Sequence, residues 1–285
     1  MQLRRGMFAF VAVSALFSVG QAARAENISD VLDRNTALYS NQRQEPAVLE
    51  QVIADLRASL DRADDPTQKY DAYLLLSRAL YFKAMHTSDG KADIFMDGRH
   101  VAEACITHAK ARLNDQRAEC YYLRAINMGR WGEAVGLLDP RVIGQRHDFR
   151  RSVLDAMNFR RDAGSDEPLR GANGQPVMRF AKDGTPGVTY DSYGPWRSLG
   201  RMYNRLPGFF GGDNNRAETI LRDAVRLGSR LALNHVYLAK VLADLDKKDE
   251  ARALLNRLLS NASATFNPDR VPETADEFEE ARVLL

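Results

Sequence analysis

The chain has 285 residues, a formal net charge of +2 and 45% hydrophobic residues. A balance this close to neutral gives no electrostatic case for nucleic acid. Beyond the N-terminus no stretch approaches the roughly 18 apolar residues that a membrane-crossing helix needs.

The N-terminus reads as a cleavable export signal. Arg4 and Arg5 form a positive start, Met7 to Val19 is apolar, and Ala23-Arg24-Ala25 fits the small-x-small rule for cleavage after Ala25. The apolar run is too short to cross a hydrocarbon core about 30 Å thick. Removing residues 1–25 removes Arg4, Arg5 and Arg24 and no acid, so the formal charge falls from +2 to −1. The expected location is the periplasm or outside the cell. In an oxidising compartment two thiols tend to pair. Cys105 and Cys120 fall on expected helices flanking a turn at Asn114-Asp115, so a disulfide across a helical hairpin is expected; the alternative is a pair of small buried hydrophobes.

Helical periodicity covers most of the chain beyond Ala25. The sequence predicts a first helix over 27–40, with Ser29 or Asn27 as its cap. A second runs from Glu45 to Arg62, with Val48, Leu49, Val52, Ile53, Leu56 and Leu60 on one stripe. Asp65-Pro66 opens a third helix to about Met85. A long loop is expected at 86–98, then helices over Asp97–Leu113 and Gln116–Gly129. Residues 160–195 are rich in Gly, Pro and charge. Within them Lys182-Asp183-Gly184-Thr185 lies between two short β-favouring runs, which reads as an inserted β-hairpin or ordered loop, with a mobile loop as the alternative.

After the insert the chain repeats itself. Trp196, Leu199, Gly200, Tyr203, Ala217, Leu221 and Ala224 are followed by His235, Leu238, Ala239, Leu242, Ala251, Leu255 and Leu258. Ala217 and Ala251 are 34 residues apart, as are Leu221 and Leu255. That is the tetratricopeptide period, two antiparallel helices per unit with small residues where they touch. The helices are expected at Tyr193–Arg205, Asn214–Leu227, Leu231–Leu245 and Asp249–Ser260. Asp213 is placed to cap the second of them, and Gly228 to end it in a left-handed conformation. A terminal helix over Glu273–Leu284 presents Glu273, Asp276, Glu277 and Glu280 as an acidic face that would cap the array.

One segment is more specific than a bare repeat. Pro195, Arg197, Leu199, Gly200 and Tyr203 are followed by Pro207, Gly212-Asp213, Ala217, Leu238-Ala239 and Glu250-Ala251-Arg252. This pattern resembles the T component of tripartite ATP-independent periplasmic (TRAP) transporters and its soluble relatives. Glu119-Cys120-Tyr121-Tyr122 and Asn127-Met128-Gly129-Arg130 look like the same family, so the resemblance covers roughly 100–260. It implies an all-helical, periplasmic, non-enzymatic protein that works beside a substrate-binding protein and handles apolar ligands in its helical array. Typical members are lipoproteins; this chain has no Cys at the cleavage point.

The chemistry-bearing residues form no catalytic constellation. His86, His100, His108, His147 and His235 are scattered, and Cys105 and His108 lack the paired spacing of a zinc site. No nucleophile elbow, haem motif or zinc-protease motif occurs. Gly208-Phe209-Phe210-Gly211-Gly212 lacks the Lys-Ser/Thr of a phosphate loop; its glycines suit a tight turn, with Phe209 or Phe210 plugging the gap between repeats. Arg197, Arg201 and Arg205 recur every four residues, which reads first as a solvated face and second as a carboxylate-binding row.

The expected architecture is an all-α tetratricopeptide-like solenoid of about four hairpins over 26–285, with one insert. The expected function is an exported, non-enzymatic binding scaffold with no cofactor or metal, docking a protein partner such as a periplasmic solute-binding protein. The alternative is a carrier of small apolar ligands in a channel between repeats. Candidate contact residues are Tyr193, Arg197, Arg201, Phe209 and Phe210. An aromatic group of Tyr193, Trp196, Tyr203, Phe209, Phe210 and Tyr237 is expected near the concave side or the helix ends, with Trp196 and Tyr203 read first as core packing. An enzyme built on the acids of the insert is the weakest reading.

Overall fold

A computed structural model describes residues 27–112, 118–157, 172, 190–261 and 270–285. The export signal, the Asn114-Asp115 turn and the hairpin expected around 177–190 lie outside the described residues or at their edge.

The described chain is all-helical. In order it forms α1 (Ile28–Gln42), α2 (Pro46–Arg62), α3 (Pro66–Met85), α4 (Lys91–Arg112), α5 (Ala118–Val135), α6 (Pro140–Ala156), α7 (Tyr190–Arg205), α8 (Asn214–Leu227), α9 (Ala232–Asp244), α10 (Lys248–Ser260) and α11 (Val271–Val283). Each helix packs against the next, and α1, α3, α5, α7 and α9 also touch in series. The result is an α-solenoid with an inner row of odd-numbered helices and an outer row of even-numbered ones. Among the described residues it contains five hairpins and the closing helix α11, one hairpin more than the repeat alone suggests.

Local chemistry fixes where the helices start. Asp65 accepts from the backbone N–H groups of Thr67 and Gln68, Asp139 from Arg141, and Asp213 from Arg216. Pro46, Pro66 and Pro140 stand in the first turn, where a missing N–H costs nothing.

The seams between helices are apolar. Leu199, Leu221, Val236, Leu242, Leu255 and Leu258 are buried in one cluster across α7–α10. Leu49, Val52, Leu56, Leu76 and Leu80 form another across α2 and α3. Each such side chain contributes about 1.5–3 kcal/mol by leaving water. Gly200 belongs to this packing: a Cβ there would lie 2.6 Å from Leu221 Cγ, so only hydrogen lets α7 and α8 approach this closely. Ala217, Ala224 and Ala251 are buried at the other small positions. Cys105 on α4 and Cys120 on α5 form a disulfide, S–S 2.09 Å, closing a separation of 15 residues.

Several boundaries differ from the sequence reading. α4 begins at Lys91, so most of the expected 86–98 loop is helix; Phe95 is buried there and holds the extra turns. α5 continues past Gly129 to Val135, because Trp131 and Gly132 prolong its buried face. α6 was not expected at all. Gly228 ends α8 at φ −116°, outside the left-handed region. Ahead of α7 proper, Asp191, Ser192 and Tyr193 all have positive φ (49°, 50° and 67°), so the regular helix starts later than Tyr193. Left-handed backbone costs non-glycine residues about 1–2 kcal/mol each, and contacts around Asp191 must offset it.

Candidate functional site: a charged internal cavity

The inner helices do not meet at the centre. They surround a cavity of about 540 Å³, lined from α1, α3, α5, α6, α7, α9 and α11. Its apolar wall includes Phe82, Ile126, Trp131, Phe149, Met202 and Leu233. The remainder is ionic, and it divides into two groups.

The first group joins α5 to α7. Glu133 is shared by two arginines. Arg201 donates to it through Nε (2.7 Å) and Nη2 (3.0 Å), and Arg130 donates through Nη1 (2.9 Å). Arg130 also donates to the hydroxyls of Tyr81 (3.3 Å) and Tyr237 (3.0 Å), and the Arg201 guanidinium lies 4.3 Å from the Tyr237 ring centroid. Burial alone would raise the Glu133 pKa, but Arg201 and Arg130 outweigh it and hold the carboxyl at about 2.

The second group ties the left-handed turn before α7 to the segment entering α11. Asp191 accepts from Tyr122 Oη (2.6 Å), Arg197 Nη2 (2.6 Å) and Arg270 Nη1 (3.0 Å). Arg197, only 3% exposed, also reaches Tyr122 Oη and Asn234 Oδ1. Asn234 in turn donates to the carbonyls of Ser192, Ala224 and Gly228, which pins the strained turn in place. A Cβ at Gly194 would meet Tyr122 Oη at 2.5 Å, so glycine admits the phenol at this point. Burial would raise the Asp191 pKa, but Arg270 and Arg197 hold it at about 2.

α11 closes the cavity through its acidic face. Glu273 pairs with Arg43 just after α1 (2.5 Å), Asp276 with His86 after α3 (3.0 Å), Glu280 with Lys240 of α9, and Glu277 with Arg270 (3.2 Å). Glu277 also accepts from the Leu233 N–H at the start of α9 (3.1 Å). Burial outweighs the neighbouring Arg270 and Arg197 and pushes its pKa up to about 7. Phe278 and Ala281 of the same helix are buried in the α7–α10 cluster.

The structure sorts the candidate residues. Arg197 and Arg201 line the cavity and are engaged by carboxylates, which corrects the reading of a solvated row. Arg205 lines it and is exposed. Tyr193 sits in the left-handed turn, away from the cavity wall. Phe209 and Phe210 lie on a one-turn 3-10 helix (Gly208–Phe210) with ring centroids 4.4 Å apart. Phe209 is 80% exposed, so it does not plug the gap between repeats. Pro207 precedes that turn, and Gly212 is required in it, since a Cβ would fall 1.7 Å from the Leu206 carbonyl oxygen. Trp196 packs against the core cluster and Tyr203 is buried in it. Of the aromatic group expected on the concave side, Tyr237 reaches the cavity. The other aromatic lining comes from Tyr39, Tyr81, Phe82, Tyr122, Trp131 and Phe149 on earlier helices.

Sequence reading missed Arg130, Glu133, Arg43 and Arg270 as wall residues. The only local signal was Arg130 and Glu133 three apart on one helix face. Among the described residues no three His, Cys, Asp or Glu side chains converge as metal ligands would. No helix among them is long and apolar enough to cross a membrane. No family model matches the chain, and no curated protein is similar to it in sequence.

Proposed function

We propose that this chain is an exported, non-enzymatic binding protein of tetratricopeptide type that carries a small molecule with an apolar body inside its helical array. The observation that carries this reading is the central cavity. Its volume of about 540 Å³ falls in the range of small-molecule sites, and its wall combines aromatic faces with a few convergent polar groups. The Cys105–Cys120 disulfide and the N-terminal signal pattern support export. Native mass spectrometry of protein purified gently from the periplasm tests the reading. A co-purified small mass lost on denaturation is expected; a bare chain that also ignores apolar probes overturns it.

A second reading, docking to a protein partner, rests on Phe209, which is 80% exposed beside Phe210. The resemblance of 194–258 to the TRAP T component makes a periplasmic solute-binding protein the partner to try first. Capture of such a protein that Phe209→Ser abolishes would support docking; capture unchanged by the substitution would remove Phe209 from it.

A further inference from the structure

The charge count around Glu133 is uneven. Two guanidinium groups, those of Arg130 and Arg201, share one carboxylate, and all three side chains are 19% exposed. The remaining groups that Arg130 and Arg201 touch here are the neutral phenols Tyr81 and Tyr237. The other acids lining the cavity are committed elsewhere: Asp191 to Arg197 and Arg270, Glu273 to Arg43, Asp276 to His86, Glu277 to Arg270 and Glu280 to Lys240. Arg201 uses Nε and Nη2 on Glu133, leaving Nη1 unengaged among the described residues. Arg146 and Arg205 line the same cavity and form no ion pair among the described residues. Excess positive charge in a low-dielectric pocket is costly, and a second anion relieves that cost.

We propose that the cavity takes an amphipathic organic anion, with Arg201 and Arg130 receiving its acidic group and the apolar wall at Trp131, Phe149 and Met202 receiving its body. The proposal rests on the carrier reading and narrows its ligand. The anion completes a square of two guanidinium groups and two anionic groups, with the Arg201 fork supplying directed donors. The Tyr81 and Tyr237 hydroxyls accept from Arg130 and orient it.

Two fluorescent probes test this. 8-Anilinonaphthalene-1-sulfonate and N-phenyl-1-naphthylamine share an aromatic framework and differ by the sulfonate. On the purified protein the sulfonate should bind once per chain, quench Trp131 emission, and bind at least about tenfold tighter than the neutral probe. Arg201→Gln should erase that preference, weakening the sulfonate about tenfold more than the neutral probe. Glu133→Gln, which removes the competing carboxylate, should strengthen sulfonate binding. Equal affinity of the two probes for the unmodified protein would overturn the anion subsite and leave the carrier reading standing. Binding of neither would overturn both. A folded Arg201→Gln that keeps the preference would also overturn the subsite. If Arg201→Gln fails to fold, Arg201→Lys serves instead: retained sulfonate preference through the point charge supports the assignment, and the comparison on the unmodified protein remains decisive.

Discussion

The seams that run from α7 through α10 and the wall of the cavity are built from opposite materials. The seams join their helices through Leu221, Leu255 and Leu258, all buried and apolar, with Gly200 and Ala217 setting the spacing. The wall joins its helices through Glu133, Asp191, Arg197, Arg201, Arg270 and Glu277. Apolar burial is the cheaper way to hold two helices together, since a buried ion pair must first offset the desolvation of its charges. An apolar wall would have been stable. The ionic one therefore points to a use for polarity at the centre, while the seams alone account for the fold.

Substitutions separate the two materials. Leu221→Ala opens a void in a packed seam and should lower unfolding free energy by about 4 kcal/mol in urea titrations, while the folded fraction keeps its ratio of sulfonate to neutral probe binding. Asp191→Asn preserves shape but leaves Arg197 and Arg270 without their shared counter-charge. It should cost about 3 kcal/mol and loosen the closure by α11, read as faster amide exchange in that helix. Intact Asp191 has its own acid signature. Its folded pKa of about 2 lies below the unfolded value of about 3.9, so its contribution is full above pH 4 and disappears as pH falls toward 2.

Glu277 behaves in the opposite sense. Its folded pKa of about 7 exceeds the ordinary Glu value of about 4.3, so the fold favours its protonated form. Stability should decline as pH rises from about 4 to 7, by at most about 4 kcal/mol, and Glu277→Gln should flatten that slope in thermal melts. Asp213→Ala tests a seam helix at its end: losing the cap on α8 should cost about 1 kcal/mol without any effect on the cavity. Phe209→Ser, on an exposed ring outside both regions, should change stability by less than about 0.5 kcal/mol.

The two regions were unequally legible in the sequence. Seams follow from local periodicity, so the offset of 34 residues between Ala217 and Ala251 located α7 to α10 and their small contact positions. The caps at Asp65 and Asp213 were equally plain, because a cap is a matter of adjacent residues. The wall is made of pairs distant in the chain. Arg201 meets Glu133 across 68 residues, and Arg43 meets Glu273 across 230. No spacing rule connects them, which is why Arg197 and Arg201 read as a solvated row. α6 escaped for another reason. Asp139-Pro140 is a sound start signal, but the residues from there to 151 are mostly polar, and the buried positions, Ser152, Val153, Leu154 and Ala156, come only near its end. The acidic face of α11 was visible as a stripe; that its partners lie just after α1 and α3 and on α9 was not.

Those partners change the mechanics of the array. An open solenoid is a spring: repeats touch only their neighbours, and either end can fray while the other stays intact. Here Arg43 near the first turn of the spring grips Glu273 near its last, and His86 grips Asp276. The spring is clasped into a loop. Loosening the first hairpin therefore weakens the hold on the last helix, and strain that separates the two ends of the array loads the clasp together with the repeats. A chain built from repeats that in principle melt one by one is given, by a single helix, a reason to open and close as a whole.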